Sequence, residues 1–284
     1  MKILIAGCGD VGCRLGKLLV AQGHQVWGLR RNPAALPREL APIAADLSDP
    51  SSLERLPVVD VVCYAAAASG GGEGAYRAAY VDGLQNLLRG LEAQRSSIRR
   101  LLFTSSTGVY HQKNGERVDE GSQARPGRYS GQIMLEAEDL VRNGDFPGTV
   151  VRFSGIYGPG RFRLIERVAA GYACAAEPPL YTNRIHADDC AAVLAHLIGL
   201  ARPDDLYLGS DCLSTPMHEV VVWMRRILEE MGVAVAPASI IPAGRSSKQC
   251  VNHKLLATGF QFQYPNFRGG YRSAIMDWVA QINS

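Results

Sequence analysis

Residues 7–12, Gly-Cys-Gly-Asp-Val-Gly, have the types and spacing that bind a phosphate group. They follow an apolar run at 3–6, which predicts a buried strand, and precede a helix predicted over 14–20. In G-x-G-x-x-G the first glycine permits the tight turn, the second lets backbone approach a pyrophosphate, and the third lets helix and strand pack closely. A glycine-rich turn of another α/β protein is the alternative. We predict a dinucleotide site formed by Gly7, Gly9, Asp10, Val11 and Gly12.

Two arginines indicate which dinucleotide is bound. The second predicted strand, over 25–29, ends in Arg30-Arg31, about 20 residues past the glycines, where a site for NAD usually carries Asp or Glu. A carboxylate would repel a 2′-phosphate, whereas guanidinium groups attract it and bind it in a forked geometry. A solvated basic loop ahead of Asn32-Pro33 is the alternative. The pair favours NADP over NAD.

Further candidate cofactor contacts follow from the predicted strand order. In open parallel sheets, ligands bind beyond the carboxyl ends of the strands. Asp46 could reach the adenine or simply end the third strand. The candidates at the ends of the third, fourth and sixth strands are Asp46, Leu47, Ala65, Ala66 and Phe153.

The elements that position these residues alternate between strand and helix. Strands are predicted over 3–6, 25–29, 43–47, 58–67, 99–104 and 149–153, and helices over 14–20, 75–93 and 132–143. Polar sequence over 111–127 is typical of an active-site loop. This alternation predicts an α/β fold, a doubly wound parallel sheet. Further on, we predict a helix over 188–200, a strand over 206–209, and a helix starting at Thr215-Pro216.

Domain boundaries and composition limit the functional classes. We predict a dinucleotide-binding domain over 1–155, with 183–210 returning to it, and a small substrate lobe formed by 156–182 and 211–284. The net charge of +3, with no dense basic cluster, argues against nucleic-acid binding. No apolar run reaches membrane-spanning length. Seven scattered cysteines without a C-x-x-C pair indicate reduced thiols in a cytoplasmic protein and no metal site.

Several motifs in order carry a resemblance to a known family. They are GCGDVG at 7–12, FTSSTGVY at 103–110, VRFSGIYGPG at 151–160, NRIHADDCA at 183–191, and the Asn, Gly-Phe and Tyr-Pro pattern of the tail at 248–275. Together they resemble the extended short-chain dehydrogenase/reductases, the NAD(P)-dependent epimerase/dehydratase group, as an atypical member. The resemblance spans essentially the whole chain and implies a Rossmann-like sheet with a small C-terminal substrate lobe.

The same resemblance implies catalytic residues. In the family a Ser or Thr after the fifth strand binds the reacting oxygen, and this position is Ser106, with Thr107 beside it. The family's acid/base tyrosine corresponds to Tyr129. Its lysine four residues later would be residue 133, which is Ile133 here. An alignment shifted by one, anchored on Glu136, places Arg128 and Gln132 at these positions and also lacks the lysine.

Two functions remain open from the sequence. One is an NADP-dependent oxidoreductase or epimerase-like enzyme acting on a small carbonyl or alcohol, including sugar-derived ones. A small substrate is expected because the segment 160–183 is shorter than the lobe that binds a diphospho-sugar in the family's epimerases. The other is a non-catalytic NADP-binding protein that regulates a partner. His111 in the polar loop is an alternative proton donor. His186 with Asp188 and Asp189 is interpreted as a helix-start pattern, and a homodimer is compatible with either function.

Overall fold

A computed structural model describes residues 1–93, 98–240 and 247–283. Nine α-helices are present in these ranges, some of them very short: α1 Asp10–Ala21, α2 Glu73–Arg77, α3 Gly83–Ala93, α4 Tyr129–Arg142, α5 Arg163–Ala169, α6 Ala187–Gly199, α7 Met217–Glu230, α8 His253–Ala257 and α9 Phe267–Ile282. The π-helical segment Ala78–Asp82 joins α2 to α3. The helix predicted over 75–93 is therefore continuous, but it changes its winding in the middle.

The strands include seven that form the central sheet. In chain order they are β1 Lys2–Ala6, β2 Gln25–Arg30, β3 Ala41–Ala44, β4 Val61–Tyr64, β5 Arg100–Ser106, β6 Glu116–Val118, β7 Gly148–Phe153, β8 Gly155–Tyr157, β9 Tyr172–Ala173, β10 Tyr181–Thr182, β11 Arg184–His186, β12 Leu206–Gly209, β13 Thr215–Pro216, β14 Ser239–Ile240 and β15 Lys248–Cys250. The central sheet runs β3-β2-β1-β4-β5-β7-β12. Chain order reverses at β1, from which the strands proceed outward in both directions. The predicted Rossmann-like, doubly wound parallel sheet is confirmed.

The ends of the strands differ from the prediction because each strand depends on its neighbour. The third strand was predicted over 43–47, but β3 ends at Ala44, which pairs with Arg30, the last residue of β2. The fourth was predicted over 58–67, but β4 ends at Tyr64, opposite Ala6 at the end of β1. Apolar sequence alone cannot show where the partner strand ends.

Contacts divide the chain into two compact units. Unit 1 comprises Met1–Tyr110, Gln123–Phe153 and Cys190–Tyr207, and unit 2 comprises His111–Ser122, Ser154–Asp189 and Leu208–Ser284. The predicted domain division stays a prediction. These units differ from it chiefly at residues 111–122 and 183–189, which lie in unit 2.

The core of unit 1 is the buried central sheet. The side chains of residues 3–6 in β1 are inaccessible to solvent, and Tyr64 stacks on Phe103 between neighbouring strands. Helix α1 covers this sheet with Gly12, Leu15, Gly16 and Leu19, whereas Leu18 is exposed. The buried residues recur at intervals of three and four along the helix, and Leu18 lies off that stripe.

Unit 2 has its own hydrophobic core, formed mainly by α5, α7 and α9. Val220 and Ile227 of α7 are fully buried, and Trp223 and Met231 pack against the same cluster, so these four residues form the apolar face of the helix. Helix α7 begins at Met217, because Thr215–Pro216 instead pairs with Tyr181–Thr182. The predicted loop over 111–127 also contains a strand, β6, which pairs in parallel with the distant β15.

Candidate functional site

The glycine turn between β1 and α1 meets three separate steric requirements. Gly7 has φ of +76°, and a Cβ there would collide with the backbone of Ala66. A Cβ on Gly12 would lie 3.1 Å from Cγ2 of Ile5, so this glycine permits close packing of helix on strand. A Cβ on Gly9 would meet only the Gly7 carbonyl oxygen, at 3.9 Å, so the space beside Gly9 is open. The geometry matches the roles expected for the three glycines of a phosphate-binding turn.

The first turn of α1 can receive an anion. Gly9 precedes the helix, and no side chain caps its first N–H groups. Such N–H groups and the helix dipole favour negative charge. Asp10 is exposed and held by Arg14 through a 2.8 Å ion pair, which partly neutralises its carboxylate. Val11 beside it is half-buried. The turn from Gly7 to Gly12 therefore fits a pyrophosphate group.

Arg30 lies against this turn. It ends β2 and is half-buried, and its Nη1 donates to the carbonyl oxygen of Cys8 at 3.5 Å. Arg31 is exposed. A guanidinium group held beside the glycine turn can bind the 2′-phosphate of a dinucleotide. The protein's preference for NADP over NAD stays a prediction.

Asp46 closes the segment that follows β3. Its carboxylate accepts hydrogen bonds from the backbone N and the hydroxyl of Ser48, at 3.0 and 2.8 Å, and these bonds lower the pKa of Asp46. The next residue, Leu47, accepts a 3.0 Å hydrogen bond from the Asn86 side chain at its carbonyl oxygen. Asp46 does not end the third strand, because β3 stops at Ala44. Contact of Asp46 with the adenine, and of Leu47 with the cofactor, stays a prediction.

The remaining predicted cofactor contacts lie where strands end. Ala65 continues the pairing of β4 by donating from its N to Ala6 O at 2.8 Å, and Ala66 packs against Gly7. Phe153 ends β7 and is 3% exposed. The contact of Ala65, Ala66 and Phe153 with a cofactor stays a prediction.

Ser106 and Tyr129 lie on elements that contact each other. Ser106 ends β5, and its Oγ accepts a 3.0 Å hydrogen bond from the N–H of Gly108. Tyr129 begins α4, and a Cβ on Gly131 would lie 2.4 Å from Cβ of Pro126 and 3.2 Å from the carbonyl oxygen of Gly108. The absence of that Cβ lets the start of α4 pack on the turn that follows Ser106. The predicted catalytic hydroxyl and phenol are thereby carried by adjoining backbone segments at the carboxyl end of β5.

Tyr129 is accessible and has an aromatic neighbour. The side chain is 39% exposed, and its ring packs edge-to-face with Tyr76 at a centroid distance of 5.7 Å. Next to it, Arg77 forms two hydrogen bonds with Glu136, at 2.7 and 2.8 Å. These contacts join α2 to α4.

The position of the family's lysine is part of the core. Ile133 is 2% exposed and lies on the buried face of α4 with Gly131, Met134 and Ala137. Gln132, the lysine position in the shifted alignment, is exposed and neutral. Neither alignment supplies an ammonium group one helical turn after the acid/base position.

A buried ionic cluster behind this site was missed from the sequence. Nη2 of Arg152 lies 2.6 Å from Oε2 of Glu138, and Nη1 donates to the Tyr110 hydroxyl at 2.9 Å. Ser105, the neighbour of Ser106, donates to Glu138 at 2.5 Å. Both charged side chains are at most 5% exposed. The sequence signal for this cluster is Arg152, the one charged residue in the strand predicted over 149–153. The cluster links β5, β7 and α4.

His111 and the acidic segment after β11 are in unit 2. His111 is exposed and belongs to unit 2, whereas Ser106 and Tyr129 belong to unit 1. His186 is buried, and its Nδ1 accepts from the N–H of Asp188 at 3.2 Å. Asp189 accepts from the backbone N of Gln263 and Tyr264, at 2.8 and 3.0 Å. Across the described ranges, no group of three or more His, Cys, Asp or Glu side chains could hold a metal ion.

Two further observations concern the thiols and the helices. Burial raises the pKa of the Cys8 thiol although it lies just before the start of α1, because its side chain is inaccessible to solvent. None of the seven cysteines, all of which lie in the described ranges, forms a disulfide bond. None of the helices in the described part of the chain is long and apolar enough to cross a bilayer.

Comparison with known proteins identifies the family. The family profile described as NAD(P)H-binding matches residues 7–199. A structure from Methylobacillus flagellatus, described as a candidate NAD-dependent epimerase/dehydratase, is 36% identical, covers 100% of this chain and 99% of its own, and superposes with a TM-score of 0.80. No curated protein sequence gives a significant match.

More distant structures share the fold. A conserved protein of unknown function from Silicibacter pomeroyi is 24% identical over 98% of this chain and 99% of its own, with a TM-score of 0.77. The UDP-glucose 4-epimerase of Thermus thermophilus, solved with NAD, is 19% identical over 98% of this chain and 99% of its own, with a TM-score of 0.78.

The fold and the glycine turn thus define an NAD(P)-binding protein of the Rossmann type. The chain belongs to the NAD(P)H-binding family and, within it, to the extended short-chain dehydrogenase/reductases of the epimerase/dehydratase group. The resemblance that the sequence motifs indicated is confirmed.

Proposed function

We propose that this protein is an NADP-dependent oxidoreductase that transfers hydride between the nicotinamide and a carbonyl or alcohol carbon of a small substrate, sugar-derived compounds included. One observation carries the proposal: Ser106 and Tyr129 are on adjoining backbone segments at the carboxyl end of β5, where Gly131 lets α4 pack on the turn after Ser106. In open parallel sheets this edge is where ligands bind. A hydroxyl and a phenol there can orient and protonate one oxygen atom.

The cofactor would be held by residues already described. Gly7, Gly9 and Gly12 leave room for the pyrophosphate at the start of α1, and Arg30 supplies a guanidinium for the 2′-phosphate. NADP supplies the hydride donor or acceptor when it is bound. Asp46, Leu47, Ala65, Ala66 and Phe153 remain the proposed contacts to the rest of the cofactor.

The residues of this chain would bind the reacting substrate oxygen and transfer its proton. In the reducing direction, the Ser106 hydroxyl donates a hydrogen bond to the carbonyl oxygen, and the Tyr129 hydroxyl gives its proton to that oxygen as the alcohol forms. Ile133 offers no charge to stabilise a phenolate. The oxidising direction requires Tyr129 to start as a phenolate, so the missing lysine slows oxidation more than reduction. The arrangement favours a reductase.

The alternative is a protein that binds NADP without catalysis and regulates a partner. The observation that favours it is the burial of Ile133, because the position where the family places its lysine is here part of the hydrophobic core. Consumption of NADPH in a mixed panel of aldehydes and ketones separates the two functions, since only the oxidoreductase oxidises the cofactor.

The cofactor part of the proposal is tested by titrating NADPH and NADH calorimetrically into wild type and Arg30→Asp. If Arg30 forms a charge-assisted bond with the 2′-phosphate, worth about 1.5–3 kcal/mol, wild type binds NADPH roughly 10- to 150-fold more tightly than NADH. Arg30→Asp should reverse this preference. The exposed Arg31→Ala is the matched control and should change the ratio less. Equal affinities of wild type for the two cofactors would contradict the assignment.

A further inference from the structure

Two cysteines, one within the phosphate-binding turn and one directly after it, contact each other. Cys8 lies inside the turn and Cys13 in the first turn of α1, and their Sγ atoms are 3.9 Å apart. The Cys13 thiol also donates to the carbonyl oxygen of Cys8 at 3.6 Å. The residues between them are those that define the turn, including Gly9 and Gly12.

The two thiols differ in accessibility. The Cys8 side chain is inaccessible to solvent, and its Sγ would lie 3.4 Å from a Cβ on Gly12 and 3.1 Å from one on Gly28. Cys13 is half-buried, so a small oxidant can reach it. Burial raises the pKa of Cys8, and this makes Cys13 the thiol that reacts first.

We propose that Cys8 and Cys13 form a disulfide within the phosphate-binding turn when the protein is exposed to a peroxide, and that this modification weakens dinucleotide binding. The Cys13 thiolate attacks one peroxide oxygen, breaking the O–O bond and giving a sulfenic acid and, with a proton, water. The sulfur of Cys8 then attacks the Cys13 sulfur, loses its proton and displaces a second water. Overall, two thiols and one hydrogen peroxide give one disulfide and two water molecules.

The disulfide must distort the turn that binds phosphate. The sulfur atoms have to approach from 3.9 Å to about 2.05 Å, and their side chains are anchored at opposite ends of the glycine turn. Cys8 is fixed by its N–H, which donates to Leu29 O at 3.0 Å, and Cys13 by its N–H, which donates to Gly9 O at 2.8 Å. Loss of one charge-assisted hydrogen bond to phosphate would weaken binding about tenfold or more. A bound dinucleotide should conversely hold the turn and slow oxidation.

The cross-link can be detected directly by mass. Cleavage after Lys2 and Arg14 releases residues 3–14 as one peptide containing both cysteines. After treatment of the intact protein with hydrogen peroxide, this peptide should lose the mass of two hydrogen atoms, and dithiothreitol should restore it. Cys13→Ser should abolish the loss. Cys63→Ser removes a third, fully buried thiol on β4 and should leave the loss unchanged.

The functional consequence has its own readout. Peroxide should weaken NADPH binding about tenfold or more in wild type and in Cys63→Ser, reversibly with dithiothreitol, and not in Cys13→Ser. Peptide 3–14 remaining unoxidised, oxidised only to sulfinic acid, or joined to a peptide carrying Cys63 would overturn the disulfide assignment. A complete cross-link with unchanged NADPH affinity would overturn the regulatory part. The mass measurement does not depend on catalysis, so it stands whether or not the protein is an oxidoreductase.

Discussion

At the scale of single residues, two glycines of the turn have different roles: one serves folding and the other serves binding. Gly7 is needed by the fold, because its positive φ and its contact with Ala66 exclude a side chain. Gly9 has ordinary negative φ and open space beside it. A side chain at position 9 therefore costs the fold little, but it occupies the space into which a pyrophosphate would come.

This difference predicts that Gly9→Val folds but loses dinucleotide binding. Thermal unfolding should stay close to that of wild type, while NADPH affinity falls by at least about tenfold, as expected when backbone approach to the phosphates is blocked. Gly7→Val is the contrasting variant and should lose stability and binding together. Unchanged NADPH affinity in a folded Gly9→Val protein would refute the assignment of the turn.

Residue types also carried most of the information about the candidate site. The glycines, Arg30, Ser106 and Tyr129 could be selected from the sequence because their chemistry and order are distinctive. Glu138 could not, since an acidic residue in an amphipathic helix is ordinarily on the solvated face. Its role depends on Arg152, which is distant in the chain, and only the packing of α4 on β7 brings the two together.

At the scale of elements, α4 carries two ion pairs in opposite environments. Glu138 pairs with Arg152 inside unit 1, whereas Glu136, two residues earlier, pairs with Arg77 where both side chains are 44% exposed. Removing one partner of a buried pair leaves an uncompensated charge, whereas an exposed charge returns to water.

We expect Glu138→Ala to lower the free energy of unfolding by about 3–5 kcal/mol. Glu136→Ala on the same helix should have a much smaller effect, because water solvates Arg77 once its partner is gone. Denaturant unfolding of both variants measures the difference. Equal losses in the two variants would mean that Glu138 and Arg152 are accessible to water in solution.

Element types were largely predictable from the sequence, but their ends and long-range pairings were not. Apolar runs and glycine turns specify β1, β2 and α1 locally. The end of β3 depends on where β2 stops, and β6 exists through pairing with β15, which is far away in the chain. The π-helical segment Ala78–Asp82 also has no local sequence signature. The carbonyl oxygen of Ala79 in this segment accepts a 2.5 Å hydrogen bond from the hydroxyl of Tyr64.

At the scale of the whole molecule, a buried carboxyl group makes stability depend on pH. Asp211 is 2% exposed, and its Oδ1 accepts from the N–H of Leu213 at 3.2 Å. Its Oδ2 has no hydrogen-bond partner among the described residues. Burial raises the pKa of Asp211 from 3.8 to about 7. The folded protein therefore holds this proton more tightly than the unfolded chain does, so stability from Asp211 is complete below about pH 4 and is lost as pH rises to about 7.

Asp211→Asn should remove this loss while keeping an oxygen acceptor for Leu213. At pH 8 the variant should be more stable than wild type by up to about 4 kcal/mol, and near pH 4 the two should be similar. Denaturant unfolding at both pH values measures the change. Asp145→Asn, at an exposed position, should differ from wild type equally at both pH values. A stability difference for Asp211→Asn that does not grow with pH would contradict the burial of its charge.

The proposed hydride transfer can be followed by isotope. NADPH carrying deuterium at the transferring carbon of the nicotinamide is incubated with the protein and a mixed panel of aldehydes and ketones, and the alcohols formed are analysed by mass spectrometry. The account predicts an alcohol one mass unit heavier than the product made with ordinary NADPH. Its formation should slow by about 10²–10⁴-fold in Tyr129→Phe, because the proton donor is lost. Tight NADPH binding without deuterium transfer to any carbonyl compound, or equal transfer rates in wild type and Tyr129→Phe, would contradict it.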